Sequence, residues 1–217
     1  MLRILLADDH QILREGIRRG LEAAGEEVIG EAGNGEEAVE LARTLLPDVV
    51  LMDIRMPEMD GVEATRQIFL PDRAARREKP VRVVVLTTFN LDDRAATAIR
   101  YGASGFLLKG TTPVMLRDAI RTVHAGNAVL APADLATLLD GQFQARTPAP
   151  AAYLSLTDKE REVFAAVARG LSNTEIAGLV FASESTVKTH VGAVLRKLGL
   201  RDRVQIVVFA HEHGLVA

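Results

Sequence analysis

Residues 49–57 read VVLMDIRMP, and this stretch decides the fold. Four apolar residues run into a single acid, Asp53, and a proline-containing loop follows. A short apolar run that is bounded by turn residues is typical of a strand buried on both faces. Asp53 is therefore predicted to stand at the carboxyl end of a strand, the edge where open α/β sheets build their binding sites.

Other short apolar runs also end in polar residues. Residues 3–7 read RILLA and lead to Asp8 and Asp9, residues 81–86 read VRVVVL and lead to Thr87, and residues 105–108 read GFLL and lead to Lys109. Each of these residues alone is typical of a helix cap or a surface charge. Their recurrence at successive strand ends predicts instead that three acids, a hydroxyl and an amine converge on one edge of a sheet.

A further short strand is predicted at residues 28–30, and helical patterns separate the strands, which predicts a doubly wound parallel α/β sheet of five strands. Flavodoxin-like sheets of this class have the strand order 2-1-3-4-5. That order places strands 1, 3 and 4 side by side. Residues 1–125 resemble the flavodoxin-like receiver domain of two-component response regulators. The resemblance is carried by LADDH at 6–10, DIRMPEMDG at 53–61, LTTF at 86–89 and GASGFLLK at 102–109.

The acids at this edge predict phosphoryl chemistry. Three carboxylates packed together repel one another, and a hard divalent cation with oxygen ligands, such as Mg²⁺, relieves that repulsion. Asp53 is the predicted nucleophile, which would form an aspartyl phosphate. Lys109 would pair with a phosphoryl oxygen as a point charge, and the Thr87 hydroxyl would donate a hydrogen bond to another.

The resemblance adds the metal ligands and the switch. It implies that Asp9 and Asp53 bind Mg²⁺ directly, that Asp8 acts mainly through water, and that the backbone carbonyl of Arg55 is a further ligand. It also implies that Phe106 rotates into space that Thr87 vacates on phosphorylation. The alternative for Phe106 is an ordinary aromatic residue of the core.

The C-terminal part is predicted to be a small all-α domain. Residues 126–152 contain prolines and form a linker, with one possible short helix at Leu135, Leu138 and Leu139. Residues 153–217 then give four helical patterns, two of which open with capping-box spacing, Thr157 with Glu160 and Ser172 with Glu175. Two capped helices joined by the short turn at 181–182 predict a helix-turn-helix.

Its third helix, residues 183–198, is amphipathic, and its outward face fits the major groove of DNA. Lys188 and Thr189 are the predicted base-edge contacts. The predicted phosphate contacts are Thr174, Thr186, Arg196 and Lys197. This part resembles a LuxR-type domain through LT at 156–157, EREV at 160–163, ARGLSN at 168–173, STVKTHV at 185–191 and LRKLG at 195–199. The resemblance implies that the last helix pairs DNA-bound protomers through Val204, Val207 and Val208.

Composition limits the remaining possibilities. The chain of 217 residues has no cysteine, which excludes disulfides and thiolate metal sites, and it has no apolar run of membrane-spanning length. Residues 153–217 hold eight Lys and Arg against seven Asp and Glu, so charge alone does not predict nucleic-acid binding. None of the five histidines has partners at metal-ligand spacing. The absence of a signal sequence predicts a cytoplasmic protein.

Together these features predict a transcription regulator rather than an enzyme. A sensor histidine kinase would phosphorylate Asp53, and the active homodimer would bind two half-sites of double-stranded promoter DNA about one helical turn apart. One alternative is a phosphatase with Asp53 as its nucleophile, but position 55, where such an enzyme needs an acid, is Arg55. Another is a regulator that binds DNA without phosphorylation.

Overall fold

The computed structural model describes residues 1–70, 80–88, 93–127 and 147–215. Their contacts divide the chain into two compact units, Met1–Ala125 and Gly126–Ala217. Each unit has its own core and is described by itself. Within the described ranges, no helix combines the length and the apolar character needed to cross a bilayer.

The first unit is built on a five-stranded parallel sheet in the order β2-β1-β3-β4-β5. Its strands are β1 (Arg3–Ala7), β2 (Glu27–Ala32), β3 (Val49–Asp53), β4 (Arg82–Thr87) and β5 (Gly105–Leu108). Every residue of β3 and β4 is buried, as continuous apolar runs require when helices cover both faces of a sheet. The predicted fold class and strand order are confirmed.

In the described part of the first unit, five helices alternate with these strands. They are α1 (Gln11–Ala23), α2 (Gly35–Leu45), α3 (Gly61–Ile68), α4 (Asp93–Arg100) and α5 (Pro113–His124). Asn34, Asp60 and Thr112 cap α2, α3 and α5 by accepting hydrogen bonds from main-chain N–H groups three residues on. The sequence also predicts a loop from Pro71 to Pro80 and a fourth helix from about Leu91 to Tyr101. Residues 71–79 of that loop and residues 91 and 92 of that helix lie outside the described residues.

Gly61 lets α3 begin directly against the end of β3. Its N–H donates to the Ile54 carbonyl at 3.0 Å. A Cβ atom at this position would lie 1.9 Å from the Asp53 carbonyl oxygen, a distance that backbone atoms do not tolerate. A side chain at position 61 would therefore displace the loop that follows β3.

The described residues of the second unit form five helices. They are α6 (Ala151–Leu154), α7 (Asp158–Ala168), α8 (Asn173–Leu179), α9 (Glu184–Leu198) and α10 (Arg203–Glu212). Both predicted capping boxes are present, at the starts of α7 and α8. Ser183 caps α9 and Asp202 caps α10. The possible helix at residues 135–139 lies outside the described residues.

An aromatic cluster joins α6, α7 and α10. The rings of Tyr153 and Phe164 lie 5.2 Å apart edge to face, and Phe164 and Phe209 pack likewise at 6.0 Å. Beside this cluster, the N–H of Thr147 donates to the Glu212 carbonyl at 3.1 Å, and its hydroxyl lies 2.9 Å from His213 Nδ1. The segment before α6 is therefore anchored to the end of α10.

Candidate functional site

Lys109 bridges two of the three acids at the carboxyl edge of the sheet. Its Nζ lies 2.7 Å from Asp8 Oδ2 and 2.8 Å from Asp53 Oδ2. Asp8 is 1% exposed and Asp53 is 4% exposed, so both carboxylates have lost most of their hydration. The ends of β1, β3 and β5 thus place two buried negative charges around one positive charge, as parallel strand ends at one edge allow.

This arrangement shifts the pKa of both partners. Burial raises the pKa of Asp53, and the Lys109 ammonium and the Arg55 N–H group offset that rise only in part. Desolvation lowers the pKa of Lys109, but the two carboxylates outweigh it, so its pKa lies above the usual lysine value. Lys109 therefore stays charged near neutral pH and stabilises the ionised form of Asp53.

Asp9 and His10 extend the site toward solvent. His10 Nδ1 lies 2.7 Å from Asp9 Oδ1 and 3.5 Å from Asp8 Oδ1, and one ligand atom from each of the three residues lies within 4.8 Å of the others. In the sequence no histidine was found to have partners at metal-ligand spacing, so the grouping of His10 with the two acids was missed. The position of His10 directly after Asp8 and Asp9 could have indicated it. Asp53, which shares Lys109 with Asp8, is not part of this three-residue group.

Thr87 and Phe106 lie on neighbouring strands beside the acids. Asp53 pairs in register with Leu86, so Thr87 follows at the adjoining strand end, where it is buried. Its carbonyl accepts the Lys109 N–H at 2.8 Å, which ties the end of β4 to the residue after β5. Phe106 pairs in register with Val85 and is half-buried. The rotation predicted for Phe106 stays a prediction.

Arg14 supports the loop that carries Asp8. A guanidinium nitrogen of Arg14 donates to the Asp8 carbonyl, and its Nε lies 3.3 Å from Glu31 Oε2. Arg18, one helical turn on, lies 3.3 Å from the other oxygen of Glu31. Two arginines of α1 thus hold the first acid loop against the end of β2.

A groove of about 550 Å³ opens beside Lys109, between α1 and α5. Leu13 and Ile17 of α1 line one wall, and Pro113 and Leu116 of α5 line the other. Gly16 has no side chain to fill the space between them. The groove is therefore largely apolar and ends at the acid site.

The predicted DNA-reading face of α9 is exposed. Thr186, Lys188, Thr189 and Arg196 are all exposed, while Val187 and Val194 are buried on the opposite side. This division matches the amphipathic pattern. Thr174 at the start of α8 is also exposed, and its hydroxyl donates to Glu184 Oε1 at 2.8 Å.

Lys197 lies apart from that face. Its Nζ lies 2.6 Å from Glu160 Oε2 and donates to the Ser155 carbonyl at 3.1 Å. The Lys197 ammonium lowers the pKa of Glu160 to about 2. The structure thus gives Lys197 a partner within its own domain, unlike Arg196, which precedes it on the exposed face.

The three valines of α10 that are predicted to pair protomers are buried in this structure. Val204 and Val207 are at most 1% exposed, and Val208 is 5% exposed. The helix reads RVQIVVFAHE, and its apolar residues lie on all sides, as in a core helix. Pairing through these valines stays a prediction, and it requires them to be uncovered.

A buried aspartate, a bridging lysine and a neighbouring hydroxyl on a five-stranded parallel sheet define a receiver of phosphoryl signals, and here it is joined to a helix-turn-helix domain. Residues 4–121 match the family of response regulator receiver domains. Residues 154–210 match the luxR family of bacterial regulatory proteins. The chain belongs to the response regulators with a LuxR-type DNA-binding domain, which are two-component regulators of transcription.

The chain is similar to curated relatives over nearly their whole length. The chain is 40% identical over 218 residues to the transcriptional regulatory protein LiaR of Bacillus subtilis (strain 168), with all of both chains covered. It is 36% identical over 217 residues to the response regulator protein VraR of Staphylococcus aureus (strain NCTC 8325 / PS 47), with 99% of each covered. Among solved structures it is similar to the response regulator ChrA of a heme-sensing two-component system, at 31% identity and a TM-score of 0.50, with 99% of this chain and 98% of that chain covered.

Proposed function

We propose that a partner sensor histidine kinase phosphorylates this regulator on Asp53, and that the phosphorylated form dimerises and binds promoter DNA. The observation that supports this proposal most strongly is the Lys109 ammonium, which lies within 2.8 Å of the Asp53 carboxylate in a buried site. A buried aspartate beside a fixed cation that favours its ionised form has the position of a phosphoryl acceptor.

In the transfer step, an oxygen of Asp53 attacks the phosphorus atom of a phosphohistidine. The new O–P bond forms as the P–N bond breaks, and the electron pair of that bond returns to the departing imidazole. Lys109 is placed to neutralise a phosphoryl oxygen once its contact with Asp53 is relaxed. The Thr87 hydroxyl lies at the adjoining strand end, where it would donate to a second oxygen and draw the switch residue Phe106 after it.

The acids fit a magnesium ion. Asp8, Asp9 and Asp53 supply hard oxygen donors, and the Arg55 carbonyl follows in the same loop, which suits a cation that prefers oxygen ligands. Mg²⁺ would neutralise phosphoryl oxygens in the transfer. The residues themselves hold the acceptor in place, and burial of Asp53 keeps most of its surface away from bulk water.

The groove beside Lys109 supports a protein donor. Ile12 at its rim is 89% exposed and extends the apolar lining of the groove to the surface, and a contiguous apolar patch of this kind is typical of a protein-interaction site. A donor helix that fills the groove would bring its phosphohistidine to the adjoining acid site. Ile12→Asp should slow phosphorylation by the kinase by about tenfold or more while leaving phosphorylation by acetyl phosphate unchanged. Equal slowing with both donors would contradict docking at this groove.

On DNA, α9 would enter the major groove of each half-site. Lys188 and Thr189 would contact base edges, and Thr186 and Arg196 would contact phosphates, together with Thr174 of α8. Lys197 would contact a phosphate only if its ion pair with Glu160 were broken. The two protomers would pair through α10, and the protein would act in the cytoplasm.

Intact mass after incubation with acetyl phosphate and Mg²⁺ tests the central step. We expect wild type to gain the mass of one phosphoryl group and Asp53→Asn to gain none. Asp118→Asn is the matched control, because Asp118 is an exposed aspartate of α5 and should leave the gain intact. Gain of the group by Asp53→Asn would contradict the assignment of the acceptor. Equal DNA affinity of wild type with and without donor would favour a regulator that does not need phosphorylation.

A further inference from the structure

Arg203, the first residue of α10, is a buried arginine whose guanidinium binds uncharged groups. It is 6% exposed. Its Nη1 donates to Asn173 Oδ1 at 2.8 Å, and its Nη2 donates to the Leu171 carbonyl. Burial lowers the pKa of this guanidinium below the usual arginine range, and the nearby Glu175 carboxylate offsets that shift only in part. Burying a charge whose hydrogen bonds go to neutral acceptors is unfavourable, so the position of Arg203 needs an explanation beyond packing.

Both acceptors lie at the start of the helix-turn-helix. Leu171 follows the end of α7, and Asn173 is the first residue of α8. Two N–H groups in the planar fork of one guanidinium fix the direction from which α8 begins relative to α10. A lysine ammonium presents its donors from a single point and cannot hold both acceptors in the same geometry.

The next residue of α8 passes this constraint to the recognition helix. Thr174 donates to Glu184 at 2.8 Å, and Glu184 is the first residue of α9. The starts of α10, α8 and α9 are therefore connected by two polar contacts through adjacent residues, Asn173 and Thr174. This connection therefore joins α10, the proposed dimerisation helix, to α9, the proposed DNA-reading helix.

We propose that Arg203 is a positioning residue for DNA binding, which fixes the start of α8 and, through Thr174 and Glu184, the orientation of α9. Arg203 itself does not touch DNA, because its guanidinium is buried. The inference rests on the proposed function insofar as the exposed face of α9 is taken as the DNA-reading face.

The experiment compares Arg203→Lys with Arg196→Met in the full chain, on a duplex recovered from a randomised pool by selection with the phosphorylated wild type. Affinity is measured across a salt series at a temperature where circular dichroism shows each variant fully folded. We expect Arg203→Lys to bind about tenfold more weakly with an unchanged salt dependence, because it loses geometry and no phosphate contact. Arg196→Met should weaken binding and lower the slope of log K against log salt by about 0.9.

A double-mutant cycle with Asn173→Ala tests the route, because Asn173 accepts from Arg203 and is not itself a proposed DNA contact. If Arg203 acts through Asn173, the double variant should bind about as weakly as the weaker single variant, because effects within one connected network are not additive. Full additivity, a lower salt slope for Arg203→Lys, or unchanged affinity of that variant would overturn the positioning role. Failure of Arg196→Met to change affinity would instead count against the proposed DNA face, so the two failures are distinguishable.

Discussion

Replacing Lys109 by methionine removes a positive charge from between two buried carboxylates while keeping an unbranched side chain of similar size. In the wild type, the ammonium lies 2.7 Å from Asp8 and 2.8 Å from Asp53, and its own side chain is only 10% exposed. Without it, both carboxylates stay in a poorly hydrated site and repel each other. The first unit should therefore lose stability well beyond what a surface ion pair contributes.

The expected size follows from burial. Removing one partner of a buried ion pair costs about 3–5 kcal/mol, because it leaves an uncompensated charge in the interior. Lys159 is a matched control: its Nζ lies 2.8 Å from Glu162, but both side chains are more than 40% exposed. An exposed pair contributes about 0–1 kcal/mol, so Lys159→Met should fall in that range even though it also loses a hydrogen bond to the Val180 carbonyl.

The pH dependence has a definite sign. Burial already raises the pKa of Asp53 in the wild type, so protonation of this group favours the folded state. Its contribution to stability is complete below the pKa of the unfolded state and is lost as the pH rises through the pKa of the folded state. Loss of Lys109 raises the folded-state pKa of Asp53 further. The difference in the free energy of unfolding between Lys109→Met and wild type should thus shrink as the pH falls from about 7 to about 4.

Urea unfolding of the full chain is monitored by hydrogen exchange in peptides that cover β3, which reports the stability of the first unit separately from that of the second. Hydrogen exchange in peptides that cover α7 reports the effect of the control variant Lys159→Met on the second unit. Adding millimolar Mg²⁺ should recover part of the stability of Lys109→Met, because the cation replaces the missing charge. Equal losses for the two lysine variants at pH 7, or a loss that neither acid nor Mg²⁺ reduces, would refute the electrostatic account of the site.

Three further substitutions probe single features. Gly61→Ala should destabilise the first unit by about 2 kcal/mol or more and slow phosphorylation, since its Cβ would lie 1.9 Å from the Asp53 carbonyl oxygen; thermal unfolding and intact mass measure both effects. Phe181→Asn should raise stability by up to about 1 kcal/mol in denaturant titrations, because Phe181 is 97% exposed with a φ of +52°. The pairing of Glu160 with Lys197 stabilises the second unit above about pH 4.5 and is lost as the pH falls toward about 2, so Glu160→Gln should flatten its acid unfolding profile.

Sequence patterns predict the sheet and its acid edge well because the relevant signals are local. The apolar runs that precede Asp8, Asp53 and Thr87 specify strands whose ends must meet once the sheet is parallel. The capping boxes at Thr157 and Ser172 likewise depend on residues three apart, so their geometry follows directly from the spacing.

Long-range partners are not specified in this way. Periodicity places Lys197 near the recognition face, but its ion pair with Glu160 joins residues 37 positions apart and depends on how α7 packs on α9. The contact of Arg203 with Leu171 spans 32 positions. The burial of Val204 and Val207 did have a local signal, because apolar residues surround α10 on all sides rather than along one stripe.

The anchoring of Thr147 to the end of α10 determines where modules can be exchanged between regulators of this type. A transplanted C-terminal half that begins at residue 153 would leave behind the Thr147 contacts with Glu212 and His213. A hybrid joined between residues 127 and 147 would carry those contacts along with the aromatic cluster. For grafting a new sensory input onto this DNA-binding half, the natural splice point therefore lies upstream of the boundary that helix patterns suggest.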